Sequence, residues 1–215
     1  MASSNNTSID QNQRMQTYYK LQSKIYDATR WTFLFGRKRI VREIPLAADQ
    51  EANILEVGCG TGFNLSLLKK RFPKAHLTGL DVSQDMIDIA TKRFRQDPEK
   101  VDLIAAPYQK GDTQFNNSLD AILFSYSLTM INPQWTSLLE QAVEDLKPGG
   151  KIAVVDFYNS RFKWFKNHMG NHHVRMDGHL LPVLQDLFQE KWSAVKPAYG
   201  GVWHYFYFVG EKAPR

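Results

Sequence analysis

The chain has 215 residues and a mass of 24.8 kDa, enough to bury about 70% of its unfolded surface in one core and cramped for two. Hydrophobic residues make up 43% and charged residues 23%, which excludes a disordered or fibrous chain, and no apolar run reaches the ~18 residues of a membrane span. The net charge of +5 lies wholly in the first 45 residues, which hold eight bases and three acids. Residues 1–13 are rich in Ser, Asn and Gln, lack the apolar centre of a signal peptide, and read as a disordered leader. Residues 14–45 mix helically spaced Tyr18, Tyr19, Ile25 and Tyr26 with Trp31–Phe35 and the basic run Arg37–Arg39. Aromatic side chains beside bases suit a helical lid or a segment facing an anionic membrane. No aromatic RNP-like strand and no Gly-x-x-Gly clamp accompanies them, so nucleic acid is set aside as a partner. The single cysteine, Cys59, rules out an intrachain disulfide and points to a cytoplasmic address.

After Pro45 strands and helices alternate. Strands are expected at Asn53–Val57, His76–Leu80, Val101–Ala105, Leu119–Phe124 and Ile152–Asp156. Helices are expected at Asn64–Arg71, from a Ser83 cap to about Arg95, and at Trp135–Leu146, stopped by Lys147-Pro148-Gly149-Gly150. The rhythm predicts an α/β, Rossmann-like doubly wound sheet, mostly parallel, with helices on both faces. Val202–Val209 reads as an antiparallel C-terminal strand, hairpin partner to one near Trp192–Lys196. Residues 157–182 break the rhythm with Trp164, His168, His172, His173, Arg175, Asp177 and His179. They begin at a strand's carboxyl end, where open sheets bind ligands, and form the expected substrate-recognition insertion of a domain spanning 46–215.

The chemistry sits in Glu56-Val57-Gly58-Cys59-Gly60-Thr61-Gly62, which follows a strand and opens a helix. Glycines there allow a tight turn with backbone close to a ligand. Asp81 ends the next strand about 20 residues on, at the distance from which an acid accepts ribose hydroxyls. Together with Gly-Leu-Asp-Val-Ser, Leu-Asp-Ala-Ile-Leu and Leu-Lys-Pro-Gly-Gly, in that order, this resembles the class I S-adenosylmethionine-dependent methyltransferases over Asn53–Asp156. The resemblance implies S-adenosyl-L-methionine as cofactor. It implies that Gly58, Cys59, Gly60, Thr61 and Gly62 wrap its methionyl part, Glu56 faces the same pocket, and Asp81 holds the ribose. Val82 and Met86 would flank the adenine, and Ser125 would close the pocket. Where the family often has an acid after the third strand, this chain has Ala105-Ala106-Pro107-Tyr108, so Ala106 would contact the adenine by backbone or packing.

The flanks, Tyr18-Tyr19 through Tyr26, Arg30, Trp31 and Arg37 together with His172–His179, are similar to bacterial betaine-lipid methyltransferases. That resemblance implies trimethylation of the homoserine amine of diacylglyceryl-homoserine by an enzyme held peripherally on the inner face of an anionic membrane. An amine acceptor must arrive unprotonated, so His172 or His173 is the candidate base. Tyr19, Tyr26 and Arg30 would cover the cofactor, with Tyr26 also beside the reaction. Arg30 or Arg175 suits the homoserine carboxylate. Tyr18, Trp31 and Tyr126 suit a quaternary ammonium, and Asp177 is a further acceptor-side candidate. A metal held by His168, His172, His173 and Asp177 is set aside, because Gly170 interrupts any helix between them and amine methylation needs no metal. A soluble amine, another lipid amine such as phosphatidylethanolamine, and a non-catalytic cofactor-binding module are the alternatives. Oligomeric state is not legible.

Overall fold

The computed structural model describes residues 33–96, 100–131, 134–171 and 174–213. Chain contacts separate residues 1–35 from residues 36–215, and the second unit carries the elements below.

Asn53–Val57 (β1) is buried from its second residue on, which only a central strand covered on both faces permits. Around it lie β2 (His76–Asp81), β3 (Val101–Ala105), β4 (Leu119–Ser125), β5 (Leu146–Asn159), β6 (Gln189–Ala198) and β7 (Trp203–Glu211). They form one sheet in the order β3-β2-β1-β4-β5-β7-β6. The pairs from β3 to β5 are parallel, and β7 runs antiparallel to both β5 and β6. The expected α/β, mostly parallel sheet with an antiparallel C-terminal strand is the one found. The edge strand β6 carries Lys191, Lys196 and Pro197, residues that discourage pairing with another chain.

The helices are α1 (Arg37–Glu43), α2 (Phe63–Arg71), α3 (Gln84–Arg93), α4 (Trp135–Asp145), α5 (Lys163–Gly170) and α6 (Leu180–Leu187). Strand side chains alternate between faces. Leu55, Val57, Ile122, Phe124 and Val154 share one core with Leu138 and Leu139 of α4 and Leu180 and Leu184 of α6. The opposite face takes Glu56 against Asn64 of α2, with Ile40, Leu65 and Leu68 buried at or below 1% exposure. Ser83 caps α3 through its hydroxyl, which accepts the Met86 N–H at 3.4 Å, and Lys92 and Arg93 close its last turn, matching the helix dipole.

Three segments take shapes that the sequence reading left open. The basic run Arg37–Arg39 was expected in a lid or membrane-facing segment; the structure puts it on α1, whose Ile40 and Val41 are buried. Arg37 donates to Asn64 Oδ1 at 3.2 Å and lies 3.9 Å over the Phe63 ring, while Arg39 pairs with Glu43 and sits 5.0 Å over Trp192. These two charges are engaged within the domain. The Pro-Gly-Gly stop does end α4, but the chain enters β5 at once. Leu119 pairs with Leu146 and Ala121 with Lys151, so the extra residues bulge out, held by Gly149 N–H to the Lys212 carbonyl at 3.1 Å. The 157–182 insertion holds α5 and opens α6, with Pro182 in the first turn of α6, where its missing N–H costs nothing.

Candidate functional site

The glycine loop leaves β1 with Gly58 and Cys59 N–H groups both donating to the Leu80 carbonyl, at 2.8 and 2.9 Å. It is packed at its ends and open in its middle. A Cβ on Gly58 would lie 2.8 Å from Ser127 Cβ, and one on Gly62 would lie 2.8 Å from the Phe94 ring. One on Gly60 would meet nothing within 4 Å. Thr61 is half-buried beside it. Gly60 and Gly62 have φ of 53° and 77°, a region that side chains rarely enter, so glycine is required for the turn as well as for the space.

Asp81, half-buried at the end of β2, organises the opening. Its Oδ2 accepts the Gly60 N–H at 2.8 Å and its Oδ1 accepts the Ser83 N–H at 2.9 Å. Each oxygen keeps a second acceptor site. Val82 is 76% exposed next to it, Met86 is half-buried, and the Ala106 N–H donates to the Asp81 carbonyl at 3.0 Å.

Among the described residues three buried polar atoms lack partners at the carboxyl ends of β1 and β4: Glu56 Oε2, Ser125 Oγ and Ser127 Oγ. Such atoms are costly unless something completes them. The Glu56 side chain accepts from Asn64 Nδ2 at 2.7 Å on its other oxygen. Burial pushes its carboxyl up to about 8, only partly offset by the Asn64 bond and the charge of Arg37. The Cys59 thiol, buried and near Glu56, is pushed far above the ordinary thiol range; its Sγ would lie 2.9 Å from a Cβ on Gly79, so it packs rather than reacts.

A second group lies where the insertion returns to the sheet. Asp177 bridges to Asn159 at the end of β5, and the Arg175 N–H donates to the Thr129 carbonyl at 3.1 Å. Arg175 Nε donates to Asp177 Oδ2 at 2.7 Å, and Asp177 Oδ1 takes His179 Nδ1. Burial raises the Asp177 carboxyl, but the bonds from Arg175 and His179 outweigh it and hold it below its ordinary range. His179 is also lowered, because burial of its ring against Trp135, 4.7 Å between centroids, outweighs the help of Asp177. Its Nε2 is buried without a partner among the described residues. Below this group, Asp156 is wholly buried, with Thr129 donating to it through hydroxyl and N–H; burial pushes its carboxyl up to about 6.

Tyr126 departs from the expectation of a cage for a quaternary ammonium. Its side chain is 1% exposed, stacked edge-on against Phe157 at 4.8 Å, and its backbone is held at φ 56°. Burial raises its phenol well above the usual value, so it stays protonated. Tyr18, Tyr19, Tyr26, Arg30, Trp31, His172 and His173 lie outside the described residues. Among the described residues no cluster of three or more His, Cys, Asp or Glu could hold a metal, and no helix is long and apolar enough to cross a membrane. Sequence reasoning missed Asn64 and Ser127, and it named Arg37 and His179 only as members of their segments, without these roles. Only His179 carried a signal, an imidazole two residues from an acid.

Residues 54–150 match the family described as a methyltransferase domain. That segment, somewhat under half of the chain, resembles the cofactor-binding core of methyltransferases. Its cofactor is S-adenosylmethionine. The chain is 34% identical to the malonyl-[acyl-carrier protein] O-methyltransferase of Priestia megaterium over 115 residues, 54% of this chain and 40% of that protein. It is 29% identical to the demethylmenaquinone methyltransferase of Listeria welshimeri over 106 residues, 48% of this chain and 44% of that one. The matches thus span less than half the length of these two relatives. The fold is shared with the [4+2]-cyclase SpnF (TM-score 0.71, 17% identity, 83% of this chain and 80% of that one). It is shared too with the geranyl diphosphate C-methyltransferase of Streptomyces coelicolor (TM-score 0.69, 14% identity, 83% and 80%).

Proposed function

We propose that this protein moves the methyl group of S-adenosylmethionine onto an amine, the homoserine amine of diacylglyceryl-homoserine, in three rounds that yield a betaine lipid. The observation that carries the transferase reading is the set of unpartnered buried atoms, Glu56 Oε2, Ser125 Oγ and Ser127 Oγ, beside a loop left open at Gly60. The set fits a ligand with a cationic amine at one end and hydroxyls at the other. Glu56 would take the ammonium, and the N–H groups of the Gly58–Gly62 loop the carboxylate. Asp81 would take both ribose hydroxyls on its remaining acceptor sites, and exposed Val82 with Met86 the adenine faces. Ala106, whose N–H is taken by the Asp81 carbonyl, would meet the adenine edge by packing, and Ser125 would complete the wall. Tyr19, Tyr26 and Arg30 would cover the pocket from the N-terminal segment.

The bound sulfonium supplies an electrophilic methyl group with a good leaving group. The protein's share is therefore positioning, exclusion of water and removal of the amine proton. Each round frees a proton that His172 or His173 would accept. His179 is not that base: with Nδ1 on Asp177 and Nε2 buried, it fixes the Arg175–Asp177 pair. Arg175 uses only Nε in that pair, so its terminal nitrogens suit a carboxylate on the acceptor, with Tyr18 and Trp31 around the methylated nitrogen. The lipid acceptor and a peripheral place at the membrane rest on the likeness of residues 18–37 and 172–179 to betaine-lipid enzymes. The relatives named above favour a second reading, an acceptor other than an amine, malonyl-[acyl-carrier protein] among them.

The test mixes the full chain and S-adenosylmethionine with diacylglyceryl-homoserine in anionic vesicles, or with malonyl-[acyl-carrier protein], and reads products by mass spectrometry. Gains of one, two and three methyl groups on the lipid are expected. No gain on the lipid, with cofactor binding confirmed calorimetrically in the same sample, overturns the lipid-amine reading. A single gain on the carrier-protein substrate establishes the second.

A further inference from the structure

We infer that a basic cavity at the foot of α5 receives the phosphate of an anionic phospholipid, docking this face of the domain on a bilayer. The cavity, about 500 Å³, opens where β5 runs out, on the far side of β4 from the glycine loop. Arg161, Lys163, Lys166 and His204 line it with Tyr158 and Ser160, and among the described residues no acidic side chain does. Among the described residues none of the three cations is ion-paired; Arg161 lies only over the Phe162 ring, at 5.0 Å. Three neighbouring cations left without counter-charges repel one another unless an anion joins them.

The cavity's frame is rigid. Ser160 Oγ donates to the Val202 carbonyl at 2.6 Å and accepts the Phe162 N–H at 3.1 Å, fixing the turn into α5. Phe165 and Met169, one helical turn apart, are buried, and Phe165 stacks on Trp203 with 8° between the ring planes. The buried stripe turns Lys163, Trp164 and Asn167 outward. Trp164 is 63% exposed beside the cations. An exposed indole next to a phosphate-sized basic pocket is the composition of a membrane interface, where the ring sits at headgroup depth and the bases meet lipid phosphates. A free soluble anion would account for the bases and leave the indole in water. This inference does not depend on which acceptor is methylated.

The full chain is floated with phosphatidylcholine vesicles containing phosphatidylglycerol, and with phosphatidylcholine alone, at low salt. Each base near an anionic surface contributes about fivefold, so the Lys163→Gln/Lys166→Gln pair should lower partition about 30-fold. The Lys92→Gln/Arg93→Gln pair on exposed α3 should lower it far less. Equal loss in both pairs, or no loss in the first, overturns the assignment. In the unaltered chain, anionic vesicles should protect Lys163 and Lys166 from acetylation while Lys92 stays reactive, a readout independent of any variant's folding. Protection by inorganic phosphate but not by vesicles would make the cavity a site for a soluble phosphate and overturn the membrane assignment. Methyl transfer to detergent-dispersed acceptor should be unchanged in the α5 variant. Its loss there would place these lysines in the transfer site and likewise overturn docking as their role.

Discussion

Replacing Glu56 with Gln should stabilise the ligand-free protein and weaken its hold on the cofactor, two effects of opposite sign from one atom. The carboxyl ordinarily titrates near 4.5 and is pushed up to about 8 by burial. The unfolded chain therefore sheds this proton well before the folded one, and stability falls as pH rises from about 4.5 to about 8. Asp156 has its own window, from 3.8 to about 6, so the range above about 6 isolates Glu56 of the two. Over that range the loss accumulates at about 1.4 kcal/mol per pH unit, or about 2–3 kcal/mol in all. In the Gln variant the side-chain carbonyl still accepts from Asn64, and the amide replaces the unpartnered Oε2 at a cost of about 1 kcal/mol. Counted from about pH 4.5, the loss in the unaltered chain reaches about 4 kcal/mol at pH 7.5, so the variant there should be more stable by about 3 kcal/mol, a rise of about 6–12 °C in midpoint. Urea unfolding of both proteins across this pH range, with equal slopes, measures it. Calorimetry should show a proton released when the unaltered chain binds cofactor at pH 7, none in the variant, and affinity at least about tenfold weaker. Parallel stability curves for the two proteins would refute the reasoning.

Gly60→Ala should fold with a loss of about 1–2 kcal/mol, the strain of a left-handed alanine, yet lose cofactor affinity more than about tenfold because its methyl enters the open loop. Gly62→Ala adds a clash with Phe94 and should cost about 2–4 kcal/mol of stability; equal damage from the two would contradict the open-middle loop. Asp81→Ala frees the Gly60 and Ser83 N–H groups and should weaken cofactor binding more than about tenfold by calorimetry; unchanged affinity would remove the ribose assignment. Thr129→Val takes the hydroxyl donor from buried Asp156 and should destabilise by about 2–3 kcal/mol above about pH 6, with less effect below, where that carboxyl is protonated. A loss of the same size at pH 5 and pH 8 would speak against an ionised Asp156.

Much of the sheet was legible because its strands are short apolar runs bounded by glycines and polar turns. Asn53–Val57 and Val101–Ala105 were placed to the residue, and the Ser83 cap was found where its hydroxyl is used. The register bulge at the start of β5 was not legible, because Pro-Gly-Gly signals a stop and only the pairing with β4 and the segment after β7 draws the chain straight into a strand. α6 was missed although Leu180, Leu184 and Leu187 have helical spacing, since Pro182 reads as a breaker unless it is known to sit in a first turn. In the site, residues joined by local motif were legible: Glu56, the glycine loop and Asp81. Partners brought together by packing were not. Ser127 faces Gly58 across the β1–β4 gap, and Arg37 reaches Asn64 from another helix; neither spacing carries a pattern.

The most direct measurement of the central claim is a crystal structure with S-adenosylhomocysteine bound. The account predicts both ribose hydroxyls on Asp81, the ammonium on the Glu56 side of the loop, the loop N–H groups on the carboxylate, and adenine against Val82. A ligand bound elsewhere, or one that leaves Glu56 Oε2 and Asp81 without contact, would contradict it.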